Sequence, residues 1–395
     1  MPMGKPLTVL LVNVLADTRS TGRICKDLYW AYEAAGYEPT IAYGRGTAAP
    51  DLRSFKIGST FDMLEHAGET LLFDNHGMSS RARTRRFLSQ VADLSPDVIH
   101  LHNIHGYYLN VPHLFAYLKE EFHGHVLWTL HDMWAITGHS AHLTEEERYR
   151  DAIPQSGARH WEYPFSAVDR YTRNAVLKRT WFSSVPRMTI VTPSHWLSSV
   201  IEGSFLSSYP IHTVHNGTDL ETFHPLPPID HPEKIVLAVA SVWSAQKGLP
   251  DLIDLAGRLP DGYRLRLIGR LPRSTRLPTS IEHIPRTDDV AHLVQAYSDA
   301  HVLVNPTHHE TLSMVNIEAQ ACGTPVITYP TDGAPETIID GVTGRVTSGP
   351  HVDEMLDLVV RSEKNPAISA ACVDNAQHFS RERMGEGYLA LFPAS

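Results

Sequence analysis

Pro306-Thr-His-His-Glu310-Thr-Leu-Ser-Met-Val-Asn-Ile-Glu318-Ala-Gln-Ala-Cys-Gly323-Thr-Pro325 stands between two short apolar runs, His301–Asn305 and Pro325–Tyr329. Runs of that length read as strands buried on both faces of a parallel sheet, and the stretch between them as a loop and then a helix over Leu312–Cys322. Strand, loop, helix and strand form the repeating unit of an open α/β sheet. Two carboxylates stand eight positions apart in it: Glu310 just ahead of the helix and Glu318 about two turns inside. A loop that ends in a helix start offers free N–H groups and the positive end of the helix dipole, so a diphosphate fits there. The carboxylates beside it suit sugar hydroxyls, Glu310 those of a transferred hexose and Glu318 those of a ribose.

The alternation continues outward from this stretch. Ile235–Ala240 and Arg264–Ile268 read as further strands, with helices over Leu249–Arg258 and Val290–Ser298. Upstream, Phe223-His-Pro-Leu-Pro-Pro-Ile-Asp-His-Pro232 reads as a linker, because proline stops regular hydrogen bonding. Before it the pattern runs a first time. Leu7-Thr-Val-Leu-Leu-Val-Asn13 is a buried strand, Ile24–Ala35 a helix that Gly36 can cap, and Pro39–Tyr43 a second strand. Val98–His102, Val126–Leu130 and Thr189–Thr192 add three more strands. The expected division is a first α/β domain over 1–214, a linker over 215–234, a second α/β domain over 235–378 and a final helical segment over 379–395. Two open α/β domains facing each other leave a cleft at the carboxyl ends of their strands, where ligands of such sheets bind.

At 395 residues with 42% hydrophobic content the chain can fill two cores. A net charge of -10 argues against a nucleic-acid partner. Cys25, Cys322 and Cys372 are far apart and lack zinc spacing, which suits free thiols in a reducing compartment. Leu7–Leu15 is too short to span a bilayer and has no cleavage signal, so the expected location is the cytoplasm. Residues 135–187 fit the alternation poorly. Arg170, Arg173, Lys178 and Arg179 lie near Tyr171, Trp181 and Phe182. Two readings stand: a solvated helix with a buried aromatic edge, or a basic face for an anionic or lipid-linked acceptor, with peripheral contact to the inner membrane surface through 165–187.

The segment 306–325 resembles the E-x7-E motif of retaining glycosyltransferases of the GT-B fold, in particular family 4, and the flanking Asn305-Pro-Thr, Cys322-Gly-Thr-Pro-Val-Ile-Thr and Gly333-Ala-Pro-Glu336 sharpen the match. Ser20-Thr-Gly22-Arg-Ile24, Ala42-Tyr-Gly-Arg-Gly46, His100-Leu-His-Asn-Ile-His-Gly-Tyr-Tyr108 and Trp128-Thr-Leu-His131-Asp132-Met-Trp134 resemble a bacterial subgroup associated with capsule, O-antigen or exopolysaccharide assembly. The resemblance implies a GT-B architecture of two doubly wound, Rossmann-like domains, with the last helix returning to the first.

It also implies a set of roles. His131 sits where the family places a histidine near the transferred sugar, and Asp132 orients it or takes the acceptor proton. Gly22 and Arg23 follow the first strand and face donor phosphates or acceptor; Gly22 could equally serve a tight turn. His102, Asn103, His105 and Tyr107 belong to the acceptor side. A metal reading of His100, His102 and His105 is set aside, since enzymes of this fold generally use cations and helix ends on the diphosphate; no cofactor or metal is expected. Lys247, in Gln246-Lys-Gly248, is the cation for the leaving diphosphate. The family's usual arginine a few residues earlier is missing, and Ser241 stands in the matching stretch; Arg270 or Arg23 is the expected substitute. Leu312, Ser313 and Met314 form the helix start under the diphosphate. Ile284-Pro-Arg286 matches the place of the base, and Asn216-Gly217 the hinge.

The expected function is a metal-independent, retaining transfer of a hexosyl unit from a nucleotide diphosphate sugar, UDP favoured over GDP, to a sugar or glycolipid acceptor. The alternatives are a nucleotide-sugar epimerase of the same fold and a non-catalytic nucleotide-sugar-binding scaffold. The oligomeric state is left open.

Overall fold

The computed structural model describes residues 6–141, 163–229, 231–273, 275–285 and 289–393. The chain divides into two compact units, one of Met1–Val214 with Met384–Ser395 and one of His215–Arg383.

The first unit opens with β1 (Thr8–Leu15), α1 (Arg19–Ala34), β2 (Glu38–Arg45), β3 (Ser54–Lys56), α2 (Thr60–Phe73) and α3 (Arg81–Leu94). It continues through β4 (Val98–Leu101), α4 (Val111–Glu120), β5 (His125–Thr129), α5 (Tyr171–Phe182), β6 (Met188–Thr192), α6 (His195–Glu202) and β7 (Ile211–Thr213). The strands pair in the order β3-β2-β1-β4-β5-β6-β7, all parallel. β1 shows why its sequence is a nearly unbroken apolar run. Successive side chains point to opposite faces, and both faces are covered. Leu10 and Val12 join Phe115, Trp128 and Phe182 on one side. Val9 and Leu11 join Ile24, Leu28 and Tyr32 of α1 on the other.

The second unit contains β8 (Lys234–Val242), α7 (Leu249–Arg258), β9 (Tyr263–Arg270), β10 (Ile281–Ile284), α8 (Val290–Asp299), β11 (Val302–Asn305), α9 (Met314–Ala321), β12 (Val326–Thr328), β13 (Gly344–Val346), α10 (Val352–Arg361) and α11 (Pro366–Ala376). Its strands pair in the order β10-β9-β8-β11-β12-β13, again all parallel. Val236 and Ala238 pack with Leu252, Leu255, Met355 and Val359, while Leu237 packs with Val294, Tyr297 and Ala319 on the opposite face. Both sheets are doubly wound. In each, the first strand has its neighbours on opposite sides, so the order reverses between β1 and β4 and between β8 and β11. Such reversals open a crevice at the carboxyl ends of the strands.

Three expectations need correction. Residues 215–234, read as a linker, belong to the second unit: Phe223 is buried against Tyr297, and the Leu226 N–H bonds the Ser298 hydroxyl at 3.0 Å. The last helix, α12 (Arg381–Leu389), does return to the first unit, but from Met384 onward rather than from residue 379. There Tyr388 is fully buried with its hydroxyl 2.9 Å from Thr129 Oγ1, and Phe392 packs on Tyr32. Finally, Lys178 is not part of a basic face on 165–187. It is buried under α5, its ammonium donates to the Trp134 carbonyl at 2.7 Å, and it lies 3.7 Å from the centroid of the Trp134 ring. Burial pushes its pKa well below the usual lysine value.

Candidate functional site

In the second unit the loops after β8, β11 and β12 are bolted to one another. The chain turns tightly after Trp243, with the Lys247 and Leu249 N–H groups on the Ser244 carbonyl and the Gly248 N–H on that of Ala245. Gly248 adopts φ +74°, and a Cβ there would sit 2.1 Å from the Pro306 carbonyl oxygen, so only glycine lets this turn touch the β11 loop. The His308 N–H then donates to the Gln246 carbonyl at 2.8 Å. As a result Lys247 Nζ reaches Glu310 Oε2 at 2.8 Å, both side chains partly exposed. The third loop completes the brace. Asp332, its side chain nearly fully buried, accepts the Glu310 N–H at 3.1 Å, and the Gly333 N–H donates to the Glu310 carbonyl at 2.9 Å. Sequence reasoning missed Asp332, although Asp332-Gly333 after a strand is a turn signal.

The helix start also takes its shape from buried polar groups. Asn305, the last residue of β11, donates to Ser313 Oγ and Asn316 Oδ1, each at 2.9 Å. Asn316 donates in turn to Thr337 Oγ1 at 3.0 Å. Leu312 and Ser313 are buried and Met314 is half-buried at the first turn of α9, whose opening N–H groups are those available to an anion. Glu318 is buried on α9, and Tyr297 donates its hydroxyl proton to Oε2 at 2.9 Å. Ser241 is exposed in the irregular end of β8. Arg270 ends β9 in register with Val242, one residue beyond Ser241, and its side chain is exposed. Arg286 lies outside the described residues.

In the first unit the carboxyl ends of β1, β4 and β5 carry a second group of polar side chains. Asn13, buried at the end of β1, donates to the Leu15 and Thr21 carbonyls and accepts the Asn103 N–H. It thereby ties the start of α1 to the β4 loop. Gly22 falls within α1 rather than in a loop, and a Cβ there would lie 3.2 Å from the Asp17 backbone, which explains the glycine by packing. Arg23 is exposed. His131 Nε2 stands 3.0 Å from Nδ1 of the buried His102. His102 Nε2 is buried with no hydrogen-bond partner among the described residues. A buried unpaired N–H is the costlier orphan, so the proton of His102 belongs on Nδ1, donated to His131. That assigns the His131 proton to its own Nδ1, which makes this face a donor. His105 Nε2 lies 2.9 Å from Asp132 Oδ2, while Asp132 Oδ1 accepts the Trp134 N–H. Tyr107 stacks edge-on with His66 and His76 and lies under the Arg45 guanidinium at 5.0 Å.

Burial keeps His66, His76, His100, His102 and His131 neutral. It pulls His131 down to about 4, with His105 adding to the shift and Asp132 opposing it. His66 and His100 fall to about 3, and His76 and His102 are also well below the ordinary value. The unfolded chain therefore takes up protons near the ordinary histidine value of about 6.5 that the folded chain refuses until about 4 at His131 and about 3 at His66 and His100. Stability from these groups is complete above the higher value and lost as pH falls through that window. The melting temperature is expected to drop steeply across it; a flat profile in differential scanning calorimetry would contradict the burial.

Among the described residues no helix is long and apolar enough to cross a membrane. The profile described as "Glycosyltransferase Family 4" matches residues 21–222, and "Glycosyl transferases group 1" matches 221–379. A D-inositol 3-phosphate glycosyltransferase of Actinosynnema mirum is 32% identical over 174 residues, covering 42% of this chain and 41% of that protein. The same enzyme of Mycolicibacterium gilvum is 26% identical over 301 residues, 70% of this chain and 63% of that one. The chain thus spans less than two thirds of the length of these curated relatives. Among solved structures, sucrose-phosphate synthase from Thermosynechococcus elongatus superposes with a TM-score of 0.71 at 17% identity, covering 98% of each chain. Anabaena HepE in complex with UDP gives 0.65 at 13% identity, covering 97% of this chain and 99% of that one, and its complex with UDP and glucose gives the same score. These two show the two-domain GT-B fold.

Proposed function

The chain belongs to glycosyltransferase family 4, and from that premise we propose that it moves a hexosyl unit from a nucleotide diphosphate sugar to a sugar or glycolipid acceptor with retention of configuration. The observation that carries this reading is the contact of Lys247 Nζ with Glu310 Oε2 at 2.8 Å, beside the start of α9. A cation next to free helix N–H groups suits a leaving diphosphate, whose charge grows in the transition state. Glu310, its backbone braced by Asp332, is the group that holds and polarises the sugar hydroxyls. It is not a covalent nucleophile in this scheme. The acceptor hydroxyl attacks the face that the diphosphate leaves, and its proton passes to the departing phosphate oxygen. Lys247 and the α9 start meet that charge, so no metal is called for.

The remaining residues take supporting parts. Glu318, one oxygen fixed by Tyr297, is assigned to the ribose, and Arg270 to the charge that Ser241 lacks. His131, a neutral donor, is assigned to a sugar hydroxyl, with His102, Asn103, His105, Tyr107 and Asp132 on the acceptor side. UDP is favoured over GDP; a solved relative of the same fold is bound to UDP and to UDP-glucose. A panel of UDP- and GDP-hexoses tests the donor. A ligand at a hundred times its Kd stabilises the folded state by about 2.7 kcal/mol, so one UDP-hexose is expected to raise the melting temperature by several degrees. A rise with GDP-hexoses alone would reverse the base assignment.

A further inference from the structure

A chain of buried hydroxyls and imidazoles runs beneath His131. β4 and β5 pair with Leu101 opposite Trp128, and side chains alternate between the faces of a strand. His100, His102 and Thr129 therefore share the face of the sheet that α1 and α12 cover. Tyr32 of α1 places its hydroxyl 3.0 Å from His100 Nδ1, and His100 Nε2 stands 2.8 Å from Thr129 Oγ1. Thr129 Oγ1 in turn stands 2.9 Å from the Tyr388 hydroxyl of α12. All four residues are fully buried. The His100 ring lies 4.1 Å from the His102 ring, centroid to centroid, and the His102 ring 5.3 Å from that of His131, with planes 16° apart. The three imidazoles thus form one stack that leads to His131.

Filling space does not explain this chain. Apolar side chains of similar shape at all four positions would pack as well, and replacing a complete buried polar set in that way is often neutral or stabilising. What the hydrogen bonds add is direction. His100 is neutral, since burial pulls it down to about 3, and a neutral imidazole donates at one nitrogen and accepts at the other. With both nitrogens engaged, its ring neither flips nor tilts without breaking a bond. His102 has less to hold it: Nδ1 meets His131, and Nε2 has no partner among the described residues. A ring with one hydrogen bond can swing about it, and the His100 ring stands in the way. We infer that Thr129 and Tyr388 are positioning residues for His131, acting through the orientation of His100 and then His102. The inference rests on the transferase reading only for what His131 then does to the sugar.

Thr129→Val removes the hydroxyl and keeps the shape, Thr129→Ser keeps the hydroxyl, and Tyr388→Phe removes the far bond alone. Steady-state kinetics with a hexose donor is expected to show kcat about tenfold lower in Thr129→Val and about threefold lower in Tyr388→Phe. Thr129→Ser should recover most of the rate, and UDP affinity should hold in all three. In a His131→Ala background the same substitutions should lower kcat no further, because nothing is left to position. Equal losses with and without His131, or no loss at all, would overturn the inference and leave the chain as packing. Spectra of the protein labelled with nitrogen-15 histidine give a readout free of turnover. The His131 signals, identified by their absence in His131→Ala, should show a protonated Nδ1 and a bare Nε2 in the wild type. Thr129→Val should give a mixture of tautomers, since a displaced His102 no longer donates to Nε2; unchanged His131 signals overturn the inference. A wild type that turns over no UDP- or GDP-hexose defeats the transferase reading, and the spectra then decide the positioning by themselves.

Discussion

Glu310→Gln is expected to lower kcat by about 10²–10³-fold, the scale of losing one preorganised charge at a developing transition state. Affinity for UDP should stay the same or tighten. Glutamine keeps the shape of the side chain and the backbone bonds to Asp332 and Gly333. What it removes is the carboxylate, and with it the ion pair that holds Lys247 Nζ at 2.8 Å. A freed ammonium binds a diphosphate at least as well. Steady-state kinetics with calorimetric titration of UDP separates the two quantities. Equal losses in turnover and affinity would mean that Glu310 merely shapes the pocket.

Lys247→Ala is expected to differ in kind. The ammonium serves bound diphosphate as well as the transition state, so UDP affinity and kcat/KM should fall together, kcat/KM by about 10²–10³-fold. Lys247→Arg should recover part of both, since the charge returns with a different shape. Full activity in the alanine variant would hand the diphosphate to another cation. Arg270 is then the one to test, because its strand end lies in register beside the β8 terminus.

The interior strands were legible because burial on both faces forces a continuous apolar run, as in Val9–Val12 and Val302–Val304. The four strands that sequence reasoning missed, β3, β7, β10 and β13, are the outermost strands of their sheets. Each has three or four residues, mostly half-exposed, so no apolar run announces it. The proline-rich stretch misled for a related reason. Proline reports missing backbone hydrogen bonds, and says nothing of packing, so the burial of Phe223 left no trace. Charge was equally silent on depth: Lys178 looks like its neighbours Arg173 and Arg179 in the chain but is sealed against Trp134. At the site, Lys247 and Glu310 were each legible from local context, and the fold brings them into contact across 63 positions. The pairing of His102 with His131 and the brace from Asp332 depend on which strand ends are neighbours, which spacing alone does not give.

The central claim is that the Lys247 and Glu310 pair works on a nucleotide diphosphate sugar, and UDP release from UDP-hexoses tests it most directly. The account predicts slow release by the wild type alone, faster release when a sugar or glycolipid acceptor is added, and little release by Glu310→Gln at equal UDP binding. A well-folded wild type that neither binds nor cleaves any UDP- or GDP-hexose, with or without acceptor, would contradict it.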